Sequence, residues 1–194
     1  MPESVVVEAP GRFSSASLSV RAQKKIASKL ATRNVTKFFL PETVDTLFDH
    51  IYNVLKEFYS KKDAEKVVKN MIKLAVKVCI MGRNGLLTAE DEKHLDSAQR
   101  RMRTLAVTTI SFKKVAYSFD REYYLGILDS VKDSLEPLVD LHLSDKSLKR
   151  LNHVFEHMTN PKMLDELFSP NSGHVKSLEG IAAAFEALIE TKNL

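Results

Sequence analysis

Apolar residues recur at spacings of three and four from Ser17 to the end of the chain, which is the period of helices with one buried face. Sustained alternation of apolar and polar residues, the pattern of half-buried strands, is rare. The pattern predicts helices over 17–33, 41–59, 63–81, 88–115, 120–143, 144–159, 162–168 and 172–190. The sequence therefore predicts an all-α fold: a single antiparallel bundle of about six long helices, preceded by a basic N-terminal helix.

Several residues mark where these helices begin, end or bend. Pro41 suits a first helical turn, because its missing N–H would have no partner there. Thr88 is a good N-cap for the fourth helix, and Pro137 is expected to kink the fifth. The segment Gly82–Gly85 holds two glycines and an asparagine, which end the third helix. These signals predict long helices joined by short loops.

The composition is that of a globular protein: 194 residues, 44% hydrophobic and 28% charged. We expect a flexible tail over 1–13, which shows no sustained period, and one domain over 14–194. The single Cys79 and the absence of a leader pattern predict a reducing, cytoplasmic setting. No run approaches the ~20 apolar residues that span a bilayer, so we expect membrane contact at most.

Charge is unevenly distributed along the chain. Residues 1–116 hold 21 Lys and Arg against 12 Asp and Glu, whereas residues 117–194 hold 8 against 13. On the first helix Arg21, Lys24, Lys25 and Lys29 lie within about 140° of arc, opposite an apolar face. This helix either lies on an anionic membrane surface or presents a solvated face while its apolar side packs on the bundle. A lysine stripe on the third helix and an arginine cluster on the fourth carry the same two interpretations: Lys66, Lys69, Lys73, Lys77, Arg100, Arg101 and Arg103.

Catalytic and metal-binding patterns are weak. The segment His153-Val-Phe-Glu156-His157 matches a short zinc-protease motif, but it has no recognisable third ligand, and two surface histidines flanking core residues explain it better. No phosphate-binding glycine loop, nucleophile elbow or cysteine pair is present. Nucleic-acid binding is not expected, since aromatic residues do not interleave with the cations. We therefore expect no enzyme, no metal and no cofactor.

From Leu18 onward the chain resembles the tumour necrosis factor alpha-induced protein eight family, also called TIPE proteins. The resemblance covers about nine-tenths of the chain and rests on five segments in the same order: Leu18-Ser-Val-Arg-Ala-Gln-Lys-Lys25, Ala64-Glu-Lys-Val-Val-Lys-Asn-Met-Ile-Lys73, Arg83-Asn-Gly85, Tyr117-Ser-Phe-Asp120 and Asn152-His-Val-Phe-Glu-His157. It implies a helical bundle around a long apolar cavity that accepts lipid acyl tails. It also implies basic residues at the mouth that bind phosphoinositide head groups.

Carried over by position, the resemblance makes Lys24, Lys25 and Arg83 the head-group candidates. A further basic position of the family corresponds to Gln99, which is a departure. Arg100 and Arg101 are adjacent candidates, but they point roughly 100° and 200° further round the helix. The candidate cavity-lining residues come from the helices with broad apolar faces: Val68, Ile72, Val76, Leu128 and Phe185.

Two functions remain open at this stage. The first is a non-enzymatic protein that binds a phospholipid, phosphoinositide or fatty acid and regulates signalling in cell death, immunity or migration. Such a protein associates reversibly with membranes, and its function extends to lipid transfer. The second is a protein-interaction adaptor in apoptotic, autophagic or cytoskeletal pathways, for which any bound lipid is incidental. Lipid uptake by the purified protein separates them.

Overall fold

The computed structural model describes residues 13–30, 41–83 and 85–191, with side chains described over 13–22, 41–82 and 85–191. Within these ranges the chain forms eight helices and no strand, which confirms the predicted all-α fold. The helices are α1 Ser15–Leu30, α2 Glu42–Phe58, α3 Lys61–Arg83, α4 Ala89–Lys114, α5 Arg121–His142, α6 Asp145–Met158, α7 Pro161–Leu167 and α8 Val175–Glu190.

Helix boundaries follow local chemistry. Thr88 is the N-cap of α4, as predicted, and forms a capping box with Asp91. Pro41 precedes the first residue of α2 and occupies its N-cap position, one residue earlier than a first-turn position. The helix α5 continues through Pro137 to His142. Gly85, after the end of α3, has a positive φ of 60°, which explains the glycine there.

The predicted tail over 1–13 lies almost wholly outside the described residues. Its last residue, Phe13, is described and partly buried. The ring of Phe13 stacks on the ring of Tyr52, with centroids 3.8 Å apart. Phe13 therefore packs on α2 and is part of the folded domain.

Contacts between side chains give the directions of the central helices. Asn70 Nδ2 lies 3.4 Å from His153 Nδ1, and Lys77 Nζ donates to Ser147 Oγ, so α3 and α6 are antiparallel. The start of α4 contacts the end of α5 through Asp91 and His142, and the later part of α4 contacts the start of α5 through Thr109 and Tyr124. Helices α4 and α5 are therefore also antiparallel. In consequence α3 ends and α4 begins at one end of the molecule, which we call the α3/α4 end. The loop between α2 and α3 lies at the opposite, α2/α3 end.

Helices α2 and α8 form a further pair. The ring of Phe58 lies 5.2 Å from that of His174, while His50 contacts Gly180, which makes α2 and α8 antiparallel. The backbone N–H of Ser15 donates to Asp49 Oδ1 at 2.8 Å near the start of α1. A buried core contributed by α2 to α8 joins all of these elements.

Candidate ligand cavity

An apolar cavity of about 320 Å³ lies inside the helical core. Side chains from all seven helices α2 to α8 line it. Among the described residues on its wall, every side chain except those of Thr109 and Tyr124 is aliphatic, aromatic hydrocarbon or sulfur-containing. Natural small-molecule pockets span roughly 300–1,000 Å³, so the cavity is large enough to hold a ligand.

The cavity is long relative to its volume. On α5 its lining residues extend from Tyr124 to Val139, and at 1.5 Å per helical residue this stretch is ~22 Å long. The remaining wall residues of α5 are Leu128, Val131 and Leu135. An apolar space of this length suits an extended hydrocarbon chain.

Sulfur atoms form a notable part of the wall. The side chains of Met71, Met102, Met158, Met163 and Cys79 all line the cavity. Methionine has an unbranched, flexible thioether that adapts its shape to its neighbours. Cys79 is only partly buried and lines the cavity.

Two of the five candidate lining residues, Leu128 and Phe185, lie on the wall. Val68, Ile72 and Val76 are almost fully buried but belong to other packing contacts of α3. The wall of α3 is formed instead by five residues whose mean direction is roughly 90° away around the helix. They are Met71, Leu74, Ala75, Val78 and Cys79. The apolar face of α3 is so broad that its period does not distinguish these two sides.

The head-group candidates fall on three helices. Lys24 and Lys25 lie within α1 and Arg83 is the last residue of α3, but their side chains are outside the described set. Arg100 and Arg101 are exposed on α4. Gln99, the departure from the family pattern, is also exposed and lines a shallow surface pocket together with Arg100, Asp96 and Arg103.

The direction of α1 relates these positions to the ends of the molecule. Near its start, Ser15 contacts Asp49, and one turn later Ser19 hydrogen-bonds to Asp45. Since α1 therefore runs antiparallel to α2, its C-terminal half extends toward the α3/α4 end, where Arg83 also lies. Burial raises the pKa of Asp45 to about 6, and the hydrogen bond from Ser19 only partly opposes this effect.

A polar pair interrupts the apolar wall near the α2/α3 end. The hydroxyl oxygens of Thr109 and Tyr124 are 2.8 Å apart, and Thr109 Oγ1 also donates to the carbonyl oxygen of Leu105 at 2.8 Å. Burial raises the pKa of Tyr124 to about 12, so its hydroxyl stays protonated at neutral pH. Neither residue stands out in the sequence pattern, because both occur at ordinary helical positions.

The histidine motif forms a packing cluster. The rings of His153 and His157 are 4.4 Å apart, and the ring of Tyr59 lies 4.6 Å from that of His157. Burial, and then the neighbouring His157, lowers the pKa of His153. In the described parts of the chain no three His, Cys, Asp or Glu side chains are grouped so as to hold a metal ion.

No helix within the described ranges is long and apolar enough to cross a membrane.

The chain is similar in sequence to known proteins over most of its length. Residues 13–192 match the family model described as "Tumor necrosis factor alpha-induced protein 8-like". The chain is 36% identical over 183 residues to tumor necrosis factor, alpha-induced protein 8-like protein 2 A of Danio rerio, covering 94% of this chain and 98% of the relative. It is 32% identical to 8-like protein 1 of Gallus gallus with the same coverage. It is 37% identical over 160 residues to 8-like protein 2 of Homo sapiens, covering 82% of this chain and 87% of the relative.

Proposed function

This chain belongs to the tumor necrosis factor alpha-induced protein 8-like family, and from that premise we propose that it is a non-enzymatic, lipid-binding regulator of signalling. Its ligand is a phospholipid, a phosphoinositide or a fatty acid, whose acyl chain occupies the interior of the bundle. The observation that carries the proposal is the long cavity of about 320 Å³ with its nearly continuous apolar wall.

The physical basis is burial of hydrocarbon. Each methylene that leaves water for an apolar environment contributes about 0.8 kcal/mol. An empty apolar cavity forfeits contacts between its walls, and a bound chain restores them. A single acyl chain in this space therefore stabilises both the complex and the fold.

The head group remains outside the cavity in this proposal. We assign the mouth to the α3/α4 end, where the C-terminal half of α1 and the end of α3 bring Lys24, Lys25 and Arg83. Lysine and arginine form charge-assisted hydrogen bonds with phosphate. The same cations attract an anionic membrane, with each charge near the surface contributing ~1 kcal/mol, so attachment is reversible. Arg100 and Arg101 add to this field from α4.

Blocking the cavity tests the acyl-chain assignment. Ala75 lies on the wall, and Ala75→Phe places a ring in the space that the chain would occupy. The matched control is Ala183→Phe, because Ala183 is exposed on α8 and does not line the cavity. Native mass spectrometry after incubation with phospholipid vesicles should show bound lipid for the wild type and for Ala183→Phe, and little for Ala75→Phe. Absence of lipid from the wild type would refute the proposal.

A second experiment tests the head-group assignment. The double variant Lys24→Ala/Lys25→Ala should lose most binding to vesicles that contain phosphoinositide. The control is Lys61→Ala/Lys62→Ala, an exposed lysine pair of equal charge at the α2/α3 end. Equal losses in the two double variants would mean that only overall charge matters, and would remove the specific role of α1.

A protein-interaction adaptor is the second candidate, favoured by an exposed apolar surface between α4 and α5. Tyr117 is 87% exposed, Val115 58% and Tyr123 55%. Exposed aromatic residues of this kind are typical of protein interfaces. A purified protein that neither carries lipid nor takes it up would favour this function.

A further inference from the structure

Thr109 and Tyr124 are the two hydroxyl-bearing side chains on the wall of the cavity, within the part of the chain that the structure describes. Thr109 is 1% exposed and Tyr124 7% exposed, so both lie away from bulk water. A side chain there exchanges hydrogen bonds only with protein atoms or with whatever enters the cavity. Their hydrogen-bonding capacity therefore bears on which ligands the cavity accepts.

The hydroxyls of Thr109 and Tyr124 leave one hydrogen-bonding position without a partner within the described ranges. In one arrangement Thr109 donates to the carbonyl oxygen of Leu105 and Tyr124 donates to Thr109, which leaves the phenol oxygen of Tyr124 as a vacant acceptor. In the other arrangement Thr109 donates to Tyr124, which leaves the phenol O–H as a vacant donor. In either arrangement one hydrogen-bonding position at Tyr124 has no partner among the described residues.

The position of this hydroxyl is fixed by its surroundings. The ring of Tyr124 lies 5.1 Å from that of Phe168 and 6.1 Å from those of Phe112 and Phe119. This aromatic cluster packs around the ring and restricts its movement. Tyr124 also lies in the first turn of α5, at the end of the molecule opposite to Arg83 and the C-terminal half of α1.

We infer that Thr109 and Tyr124 form a subsite that recognises an oxygen atom on the distal part of the bound chain, so that the cavity prefers long-chain lipids with a hydroxyl group far from the head group. This inference rests on the proposed lipid-binding function. A hydroxyl on the ligand can donate or accept, so it satisfies either arrangement of the pair. On an otherwise apolar wall the same hydroxyl would lose its hydrogen bonds to water without compensation.

The distance along the cavity specifies the class of ligand further. From Val139, near the α3/α4 end, to Tyr124 the wall on α5 is ~22 Å long. A hydroxyl close to the head group would remain near the mouth and would not reach Tyr124. The preference should therefore depend on where along the chain the oxygen is placed.

The test measures displacement of a fluorescent fatty acid from the full chain by three competitors. They are stearate, a hydroxystearate with the hydroxyl beside the carboxyl group, and hydroxystearates with the hydroxyl in the distal half. The wild type should bind at least one distal hydroxystearate about fivefold more tightly than Tyr124→Phe does, which is the effect of one net hydrogen bond. Stearate should bind the two proteins equally, within about twofold.

Matched variants separate recognition from folding. Tyr123→Phe removes the hydroxyl of the exposed neighbour and should keep the preference. Thr109→Ser keeps the hydroxyl and should keep the preference, whereas Thr109→Val should reduce it. Thermal unfolding of each unliganded variant provides the measure of any structural effect.

The outcomes are distinct for the two proposals. If stearate binds and no distal hydroxyl improves binding, the subsite is refuted and the lipid-binding function stands. If Tyr124→Phe weakens all competitors by the same factor, Tyr124 is structural and the subsite is refuted. If none of the competitors binds the wild type, the subsite is refuted, and the proposed function is refuted as well only if the wild type also takes up no phospholipid from vesicles.

Discussion

Gly180 on α8 is the residue at which the absence of a side chain matters most directly for packing. A Cβ atom at this position would overlap the imidazole ring of His50 on α2. The close approach of α2 and α8, both of which supply cavity wall, therefore requires glycine here. The sequence alone shows only a glycine within a helical pattern, which local propensity disfavours.

We predict that Gly180→Ala lowers the free energy of unfolding by ~1–2 kcal/mol, because overpacking against His50 outweighs the better helix propensity of alanine. Urea denaturation measures the change. Gly126→Ala is the control: Gly126 is exposed on α5 and a Cβ atom there would meet nothing within 4 Å, so alanine should stabilise by about 0.5–1 kcal/mol. In a His50→Ala background Gly180→Ala should no longer destabilise, and persistent destabilisation there would contradict this explanation.

Asp45, beneath α1, gives a second prediction at the residue scale. Burial raises its pKa from 3.8 to about 6, so the folded protein binds a proton more tightly than the unfolded chain does. Ionisation of Asp45 therefore lowers the free energy of unfolding. The free energy of unfolding rises again as the pH falls from about 6 toward 3.8 and the carboxylate is protonated. Asp45→Asn should raise the free energy of unfolding at pH 7.5 by ~1 kcal/mol, a figure reduced for the partial exposure of this carboxyl.

Urea unfolding at pH 4.5 and 7.5 measures the Asp45 effect. The stabilisation by Asp45→Asn should largely vanish at pH 4.5, where the native residue is already neutral. Asp129→Asn on the exposed side of α5 is the control. It should change the free energy of unfolding at either pH by no more than a few tenths of a kcal/mol. An equal gain at both pH values would show that charge at Asp45 is not the cause.

Among the elements, α4 shows how a helix start is determined by its own sequence. The backbone N–H of Thr88 donates to Asp91 Oδ2 at 2.8 Å, and the side chain of Thr88 accepts a hydrogen bond from the N–H of Asp91. The hydrogen bond from the Thr88 side chain is the main reason that the pKa of Asp91 falls to about 2. His142 Nε2, at the end of α5, lies 2.8 Å from the same carboxylate and links the two helices.

We predict that Thr88→Ala lowers the free energy of unfolding by ~1 kcal/mol, the usual effect of removing an N-cap side chain. Thr88→Ser keeps the hydroxyl and should be nearly neutral. Ser144→Ala is a matched control, since Ser144 occupies the N-cap position of α6 but makes no side-chain capping bond. Chemical denaturation compares the three, and an equal loss at Ser144 would contradict the role assigned to the hydrogen bond.

Helix identity was predictable because it depends on nearby residues, whereas the cavity depends on how separate helices meet. The pattern located α4 through Thr88 and the break after α3 through its glycines. On α3, however, Ile72 and Ala75 are both apolar and helical, and only the packing of α1, α2 and α6 against α3 decides that Ala75 faces the cavity. Leu128 and Phe185 come from helices with equally broad apolar faces, and they lie on the wall because the packing of α5 and α8 turns them inward.

At the scale of the whole molecule, the apolar cavity links ligand binding to stability. A ligand that binds only the folded state adds about 2.7 kcal/mol at a hundredfold excess over its Kd. For a chain of 194 residues that corresponds to a rise in Tm of roughly 5–10 °C.

We therefore predict that a saturating long-chain lipid raises the Tm of the wild type by several degrees in differential scanning fluorimetry. Ala75→Phe, which occupies part of the cavity, should show a much smaller rise. Ala183→Phe should behave like the wild type. The same rise in Ala75→Phe as in the wild type would mean that the lipid stabilises some other surface.

The thioether-rich wall makes this interior sensitive to oxidants. Met71, Met102, Met158 and Met163 can adjust to guests of different width, but each becomes polar on conversion to a sulfoxide. One such conversion would place a strongly hydrogen-bonding oxygen against hydrocarbon and weaken retention of the guest. Reductases that reverse the modification would restore the original lining, so the capacity to hold lipid is tied to the redox history of the molecule.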